Sequence, residues 1–390
     1  MTKIERVSFE VTGKCNLNCF YCCRGYLNST EKISKEISTE LIISTIQQAR
    51  EQGCESFLFT GGEAFVKEDL DKILSECEGC FVEIYSNGTL IAEPKNIELI
   101  KKYVSRLTVT IDGTNSHNFY RTGSDFLKII NNIKKLKQEV DNIKIKINTL
   151  ISKKSVNELS ELYFLLKDLE VDEWHIDFPQ LRGRLAEFKG SFSADYFEIA
   201  QQLKKILTQF YKDKEPFYLK IYKIFSSKLK ESNFFKPDLN ENPCAYKSDY
   251  SMFINAEGKY ILCPSIPCQD LLIADVKKES FEKALENKRN LTFQQIKFKD
   301  LKECLECRYF KLCLGGCRGE AKILSDSFLK SDFNSCSLMD VAEKIIYPSL
   351  PENISQIYLK KIDKNKKFPK NILKNLDELK SEIQKRYIST

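Results

Sequence analysis

Three thiols stand close together near the start of the chain, in Cys15-Asn-Leu-Asn-Cys19-Phe-Tyr-Cys22, and Cys23 follows at once. Closely spaced thiolates on one loop can hold three corners of a [4Fe–4S] cubane and leave the fourth iron open to a ligand. A zinc knuckle would need a fourth donor nearby. Cys23 is adjacent to Cys22, which is poor chelate geometry, and His117 and His175 are the only histidines. A second group reads Cys244, Cys263, Cys304-x2-Cys307-x5-Cys313-x3-Cys317 and Cys336. Fifteen cysteines, odd in number and bunched, read as metal ligands rather than a disulfide framework. No apolar run approaches the roughly 20 residues of a membrane span. The N-terminus passes into an alternating segment without a signal-peptide core. A cytoplasmic, reducing location is expected, and sites made almost wholly of sulfur select zinc or iron–sulfur.

These groups need a sizeable fold to position them. With 42% hydrophobic and 30% charged residues the composition is globular, and a chain of this length buries roughly three quarters of its surface without staples. Strand-like segments fall at 4–11, 55–60, 81–85, 107–111, 143–150 and 173–178, and helical patterns at 35–51, 67–76, 94–103, 124–140 and 156–169. Six strands alternating with five helices imply right-handed crossovers and a parallel sheet. Six units are too few for an eight-unit barrel. The expected fold is α/β, a partial (β/α)6 TIM-type barrel with its functional groups at the carboxyl ends of the strands.

Residues 191–230 read as helical and without catalytic residue types. Asn242-Pro243 then opens the second cysteine-rich region, and the chain ends in a Lys-rich segment. The expected organisation is a barrel at 1–190, a helical connection at 191–241, a cysteine-rich domain at 242–340 and a basic, partly helical tail at 341–390. Leu373, Leu376, Leu379, Ile383 and Tyr387 fall at helical spacing in that tail. Net charge is +6, and from Glu352 onward ten Lys/Arg face five Asp/Glu. Such a tail can hold an acidic peptide or a phosphate backbone, or be plain solvated surface.

The Cys15–Cys22 loop resembles the signature of the radical S-adenosylmethionine (SAM) enzymes, with aromatic Tyr21 before the third cysteine. The strand ends agree. Thr60-Gly61-Gly62-Glu63 resembles the family's GGE motif, which binds the methionine amino end of SAM. Ser86-Asn87-Gly88-Thr89 and Thr110-Ile-Asp112-Gly113 resemble its third- and fourth-strand motifs, near the ribose and carboxylate, with Asn148 on the fifth strand as a further SAM contact. The resemblance implies that SAM chelates the open iron of the Cys15/Cys19/Cys22 cluster. Reductive cleavage of its C5′–S bond then gives a 5′-deoxyadenosyl radical that takes hydrogen from a substrate. His117, Arg121, Trp174 and His175 are read as surface salt-bridge or packing residues.

The second group is similar to the seven-cysteine SPASM domain found on many radical SAM peptide maturases, with Gly258 at the expected place. That resemblance implies two auxiliary [4Fe–4S] clusters, an outer one on Cys304, Cys307, Cys313 and Cys336 and an inner one on Cys244, Cys263 and Cys317. Cys268 or an open iron takes the inner fourth position, since Tyr250 stands where some relatives have a cysteine. Four thiolates at the outer set suit zinc as well. Cys54, Cys77 and Cys80 are read as buried small hydrophobes, and Cys23 fits either role.

The resemblance implies a maturase that cross-links a ribosomally made precursor peptide at an unactivated carbon. An electron donor of flavodoxin or ferredoxin type serves it, with no membrane or nucleic-acid partner. A sulfatase-type maturase making formylglycine is the runner-up, although Pro264 stands where that subfamily has Asp. A peptide epimerase, and a non-enzymatic electron-transfer or nucleic-acid module, complete the alternatives. The first strand begins at about Ile4, leaving no room for a leader-binding domain. The leader is expected on a separate leader-binding protein, on residues 191–230 or on the basic tail. Beyond the SAM motifs, the strand ends show few polar groups: Glu10, Asp177 and Gln180.

Overall fold

A computed structural model describes residues 4–24, 36–187, 191–229, 237–244, 251–264, 269–370 and 372–378. It divides into two compact units, residues 1–111, 118–147 and 245–295 in the first and 112–117, 148–244 and 296–390 in the second.

The first unit contains the strands β1 (Arg6–Glu10), β2 (Asn18–Cys19), β3 (Ser56–Thr60), β4 (Phe81–Ser86), β5 (Arg106–Thr110), β6 (Arg121–Thr122), the start of β7 (Lys144–Leu150), β11 (Ser251–Ile254), β12 (Lys259–Ile261) and β13 (Leu272–Asp275). Its main sheet runs β7-β5-β4-β3-β1-β11-β12-β13. The neighbours from β5 to β11 pair in parallel, and β12 and β13 add antiparallel. Val7, Phe9, Phe57, Phe59, Val82, Ile84, Leu107, Val109, Ile145 and Ile147 have no exposed surface. They alternate with Arg6, Glu10, Glu83, Tyr85, Thr108 and Lys146, because successive side chains of a strand face opposite ways. One face of the sheet is therefore apolar core and the other is polar.

The helices form where capping and periodicity agree. Ser38 caps α1 (Thr39–Glu51) by accepting from Leu41 N–H at 3.4 Å, with Ile42, Ile46 and Ala49 buried. Short α2 (Leu70–Ser75) follows, and Pro94 opens α3 (Pro94–Tyr103), where a missing N–H is harmless. Asp125 caps α4 (Phe126–Glu139), which buries Ile129, Ile130, Ile133 and Leu136. The predicted strands and helices lie within a few residues of the observed ones, and Lys35, the expected start of the first helix, falls outside the described residues. One feature differs: β11, from the cysteine-rich region, pairs in parallel with β1, Arg6 against Ser251. Without it β1 would be an exposed edge.

In the second unit the end of β7 is followed by α5 (Leu159–Asp168), β8 (Glu173–Asp177), α6 (Tyr196–Lys212), β9 (Tyr218–Ile221) and β10 (Phe225–Ser226). The helical expectation for 191–230 is corrected. Lys214 and Glu215 have φ of 59° and 57° and Pro216 follows, so the helix stops there. The alternation of Tyr218-Leu-Lys-Ile221 then makes a strand parallel to β8 and a hairpin to β10. Later come α7 (Phe281–Asn290) in the first unit and α8 (Arg318–Ser325), α9 (Phe333–Val341) and α10 (Glu352–Leu359) in the second.

Candidate functional site

The thiol loop of the first unit lies over the carboxyl end of β3. Val11 N–H donates to Thr60 O at 2.9 Å, Gly62 N–H to Thr12 O at 2.9 Å and Glu63 N–H to Lys14 O at 2.9 Å. A Cβ on Gly62 would stand 2.2 Å from Lys14 O and 2.9 Å from Cys15 Cβ, so only glycine permits this approach. Beyond Cys15 the loop pairs Asn18 and Cys19 with Thr122 and Arg121 of β6. Phe20 N–H reaches Tyr120 O at 3.0 Å, and the Arg121 guanidinium lies 5.3 Å from the Tyr21 ring centre. Arg24 closes the loop by pairing with Glu10 at 2.5 Å and donating to Pro264 O at 2.9 Å.

Burial pushes the Cys15 thiol up to about 11 against the Leu17 N–H it accepts, and Glu63, Cys19 and Cys22 add to the rise. The three thiols and Glu63 therefore share one electrostatic neighbourhood. Glu63 is buried and accepts from Ser86 Oγ at 2.8 Å, Asn87 N–H at 2.7 Å and Phe65 N–H at 3.3 Å. Burial outweighs these bonds and the Arg121 charge, raising its carboxyl to about 7. Such a group regains full charge when an ammonium docks beside it. Asn87 Nδ2 donates to Asn16 Oδ1 at 2.8 Å, and Asn16 Nδ2 donates to Thr89 Oγ1 at 2.8 Å. Thr110 closes β5, half-buried.

Asp112 and Asn148 belong to the second unit. Asp112 Oδ1 accepts from Leu150 N–H at 2.9 Å, and its own N–H donates to His117 Nδ1 at 3.2 Å. Asn148 Oδ1 is buried and accepts no hydrogen bond among the described residues. A buried acceptor of this kind awaits a ligand donor. Within the first unit the features suit a thiol-held cluster and SAM: three neighbouring thiols, a backbone-close glycine and a carboxyl tuned for an ammonium.

In the second unit, Cys304 and Cys313 lie on two short helical turns, Cys307 lies between them in a bridge to Lys367, and Cys336 is on α9. Burial pushes all four thiols up, Cys313 to about 12, and the other three cysteines raise Cys336 further. Tyr309 N–H donates to Cys307 Sγ at 3.5 Å. Among the described residues no three His, Cys, Asp or Glu groups stand in metal-binding geometry as placed, so the thiols are neighbours rather than a closed ligand sphere. Four neighbouring thiols, Cys304 buried and the others half-buried, suit a tetrathiolate centre by donor chemistry. Cys263 belongs to the first unit and Cys244 and Cys317 to the second, and Cys268 and Tyr250 lie outside the described residues.

Of the two roles expected for His117 and Arg121, surface salt bridge or packing, their burial leaves packing. The strands also carry more polar groups than their ends revealed: Lys146 Nζ donates to Glu83 Oε1 and Tyr85 Oη, each at 3.0 Å. The alternation of polar residues along β4, β5 and β7 was the signal for them. Asn16 and Arg24 carried none. Cys54 and Cys77 are buried as expected, Cys80 only half so. No described helix is long and apolar enough to cross a membrane.

Residues 9–166 match the Radical SAM superfamily. They are a radical SAM domain. Superfamily members are enzymes, and relatives of this chain bear synthase and cyclase names. The chain is 27% identical over 351 residues to an AdoMet-dependent heme synthase of Methanosarcina barkeri, covering 85% of this chain and 96% of that one. It is 29% identical over 188 residues to the antilisterial bacteriocin subtilosin biosynthesis protein AlbA of Bacillus subtilis, covering 45% of this chain and 40% of that one. Its fold is similar to anSMEcpe with bound AdoMet and Cp18Cys peptide, with a TM-score of 0.69 and 18% identity over 91% of this chain and 99% of that one. It is also similar to SuiB of Streptococcus suis bound to precursor peptide SuiA, with a TM-score of 0.67 and 16% identity over 87% and 77%. The radical SAM domain thus sits in a mixed α/β chain with a large parallel sheet and a cysteine-rich C-terminal region.

Proposed function

We propose that the protein is a radical SAM peptide maturase that removes hydrogen from a ribosomally made precursor peptide and forms an intramolecular cross-link at an unactivated carbon. The observation that carries this reading is the second cysteine set, in SPASM spacing, behind a radical SAM domain. Fold neighbours seen with bound peptides and the bacteriocin-biosynthesis relative support it. Cys15, Cys19 and Cys22 hold the first cluster, and Glu63, Ser86, Asn87, Thr110, Asp112 and Asn148 hold SAM, with Tyr21 packed beside it. Bound there, cluster and SAM supply a 5′-deoxyadenosyl radical. Cys304, Cys307, Cys313 and Cys336 hold one auxiliary cluster, and Cys244, Cys263 and Cys317, with Cys268 or an open corner, hold the other. Held by these cysteines, such clusters would supply an acceptor for the electron that an oxidative cross-link releases. Glu63 orients the amino group of SAM, and the polar sheet face gives a peptide backbone hydrogen-bonding partners. A flavodoxin- or ferredoxin-type protein supplies electrons.

A second reading, heme synthesis, is favoured by the synthase relative that matches over nearly its whole length. One assay separates them. Anaerobic enzyme is given SAM, a reductant and either short peptides encoded beside its gene or a porphyrin-type heme precursor. Stimulated 5′-deoxyadenosine formation and a peptide that loses a pair of hydrogens support the maturase. Turnover of the tetrapyrrole with every peptide inert overturns it.

A further inference from the structure

Arg318, directly after Cys317, is 2% exposed. Its Nη1 donates to Phe328 O at 2.9 Å and Lys330 O at 2.8 Å, while Nε and Nη2 are buried with no hydrogen-bond partner among the described residues. A buried guanidinium half-satisfied in this way needs an anion or acceptor against it. It lies on the turn between Cys313 and Cys317: a Cβ built on Gly315 would stand 3.4 Å from Nη2. Its charge also reaches the Cys304 thiol and opposes the effect of burial there.

A second cation approaches the same turn. Lys223, at the tip of the β9–β10 hairpin, has φ of 62°, a conformation that a residue with a side chain rarely adopts. Its ammonium meets Asp332 Oδ2 at 2.6 Å and Ser335 Oγ. Asp332 in turn accepts Cys317 N–H at 2.8 Å, so the lysine is tied to the cysteine turn through one carboxylate. Gly316, φ 74°, makes room, since a Cβ there would fall 2.6 Å from Asp332 Oδ2. The Lys223 charge acts on the Cys313 and Cys317 thiols.

We propose that Arg318 and Lys223 are positioning residues that balance the negative charge of an iron–sulfur centre on Cys304, Cys307, Cys313 and Cys336 and hold its reduction potential high enough to accept an electron. The proposal rests on the auxiliary-cluster reading above. A tetrathiolate cluster is anionic and becomes more so on reduction, so buried cations and N–H donors favour its reduced state.

The test uses full-length protein carrying Cys15, Cys19 and Cys22→Ala, so that the SAM cluster does not obscure the spectrum. Iron, zinc and the potential of the remaining centres are measured for the parent, Arg318→Gln, Arg318→Lys and Lys223→Gln, the last by an EPR-monitored redox titration. Iron retained with a more negative potential in both glutamine variants, and a near-parental potential in Arg318→Lys, is the expected result. Retained iron with unchanged potentials overturns this proposal alone. So does iron lost only in Arg318→Gln while Lys223→Gln keeps the parental potential, because the arginine would then be a structural strut. A parent that holds zinc, or no iron, overturns the auxiliary-cluster reading together with it.

Discussion

Glu83 has no exposed side-chain surface, yet it is ringed by Arg106 at 2.8 Å, Lys146 at 3.0 Å and Arg6 at 3.3 Å, with Thr108 Oγ1 donating at 2.7 Å. Burial alone would raise its carboxyl; Lys146 and Arg106 overcome that and hold it at about 2. A folded value below the unfolded 4.5 means its contribution is complete above about pH 4.5 and is lost as pH falls toward 2. Glu83→Gln strands Lys146 as a buried cation and is expected to cost about 3 kcal/mol at pH 7. Chemical denaturation from pH 7 to 2 checks this: the variant should start lower and show a flatter acid limb. Gly62 makes a different prediction. Gly62→Ala must push the Lys14 backbone and the Cys15 Cβ aside, and a displacement of about 1 Å at a reacting site costs roughly a hundredfold in rate. Iron content and 5′-deoxyadenosine formation should fall together in an otherwise folded protein. The motif residues Tyr21, Gly61, Gly62 and Glu63 were legible in the sequence because their spacing is fixed. Arg318 and Lys223 were not, since a single charged residue carries no period and its burial is decided by distant segments.

At the scale of elements, the hydrophobic alternation placed the early strands because each has one apolar face. It missed β9 and β11, which are short and lie behind Pro216 and within the cysteine-rich region. The C-terminal segment is the larger surprise. Tyr358 of α10 stacks on Tyr347 at 4.6 Å and on Phe225 at 6.3 Å, and Leu376 is buried with Leu181 and Leu324. Arg308 N–H donates to Lys367 O at 2.9 Å and Lys367 N–H to Glu306 O at 3.0 Å, bracketing Cys307. Residues 352–370 and 372–377 are thus laced into the second unit, and the outer part of the predicted tail helix, 379–390, lies outside the described residues. Tyr358→Ala should cost about 3 kcal/mol. Truncation after Pro351 should lower the melting temperature and the iron bound by the outer cysteine set, both measured on the purified protein. Unchanged stability in the truncated chain would contradict the packing described.

For the whole molecule the proposed centres can be counted. Anaerobically reconstituted enzyme should carry about twelve irons, four per cubane. Replacing Cys304, Cys307, Cys313 and Cys336 together should remove about four of them and leave reductive SAM cleavage in place. Replacing Cys15, Cys19 and Cys22 should remove another four and abolish that cleavage. Loss of cleavage in the first variant would show that the two thiol sets do not act independently. The strap over Cys307 also orders events on the ribosome. The Cys15–Cys22 loop is held by the carboxyl end of β3 and by Tyr120, Arg121 and Thr122, all of which are translated long before Cys304. The segment that brackets Cys307 is translated well after Cys313 itself. Because chains fold from the N-terminus during synthesis, the SAM-binding loop can accept its metal on a nascent chain. The C-terminal cysteine set must wait for residues 363–368 to leave the tunnel. If the two sets hold the clusters proposed above, a shortage of iron or of cluster-assembly capacity would deplete them unequally, the C-terminal set first.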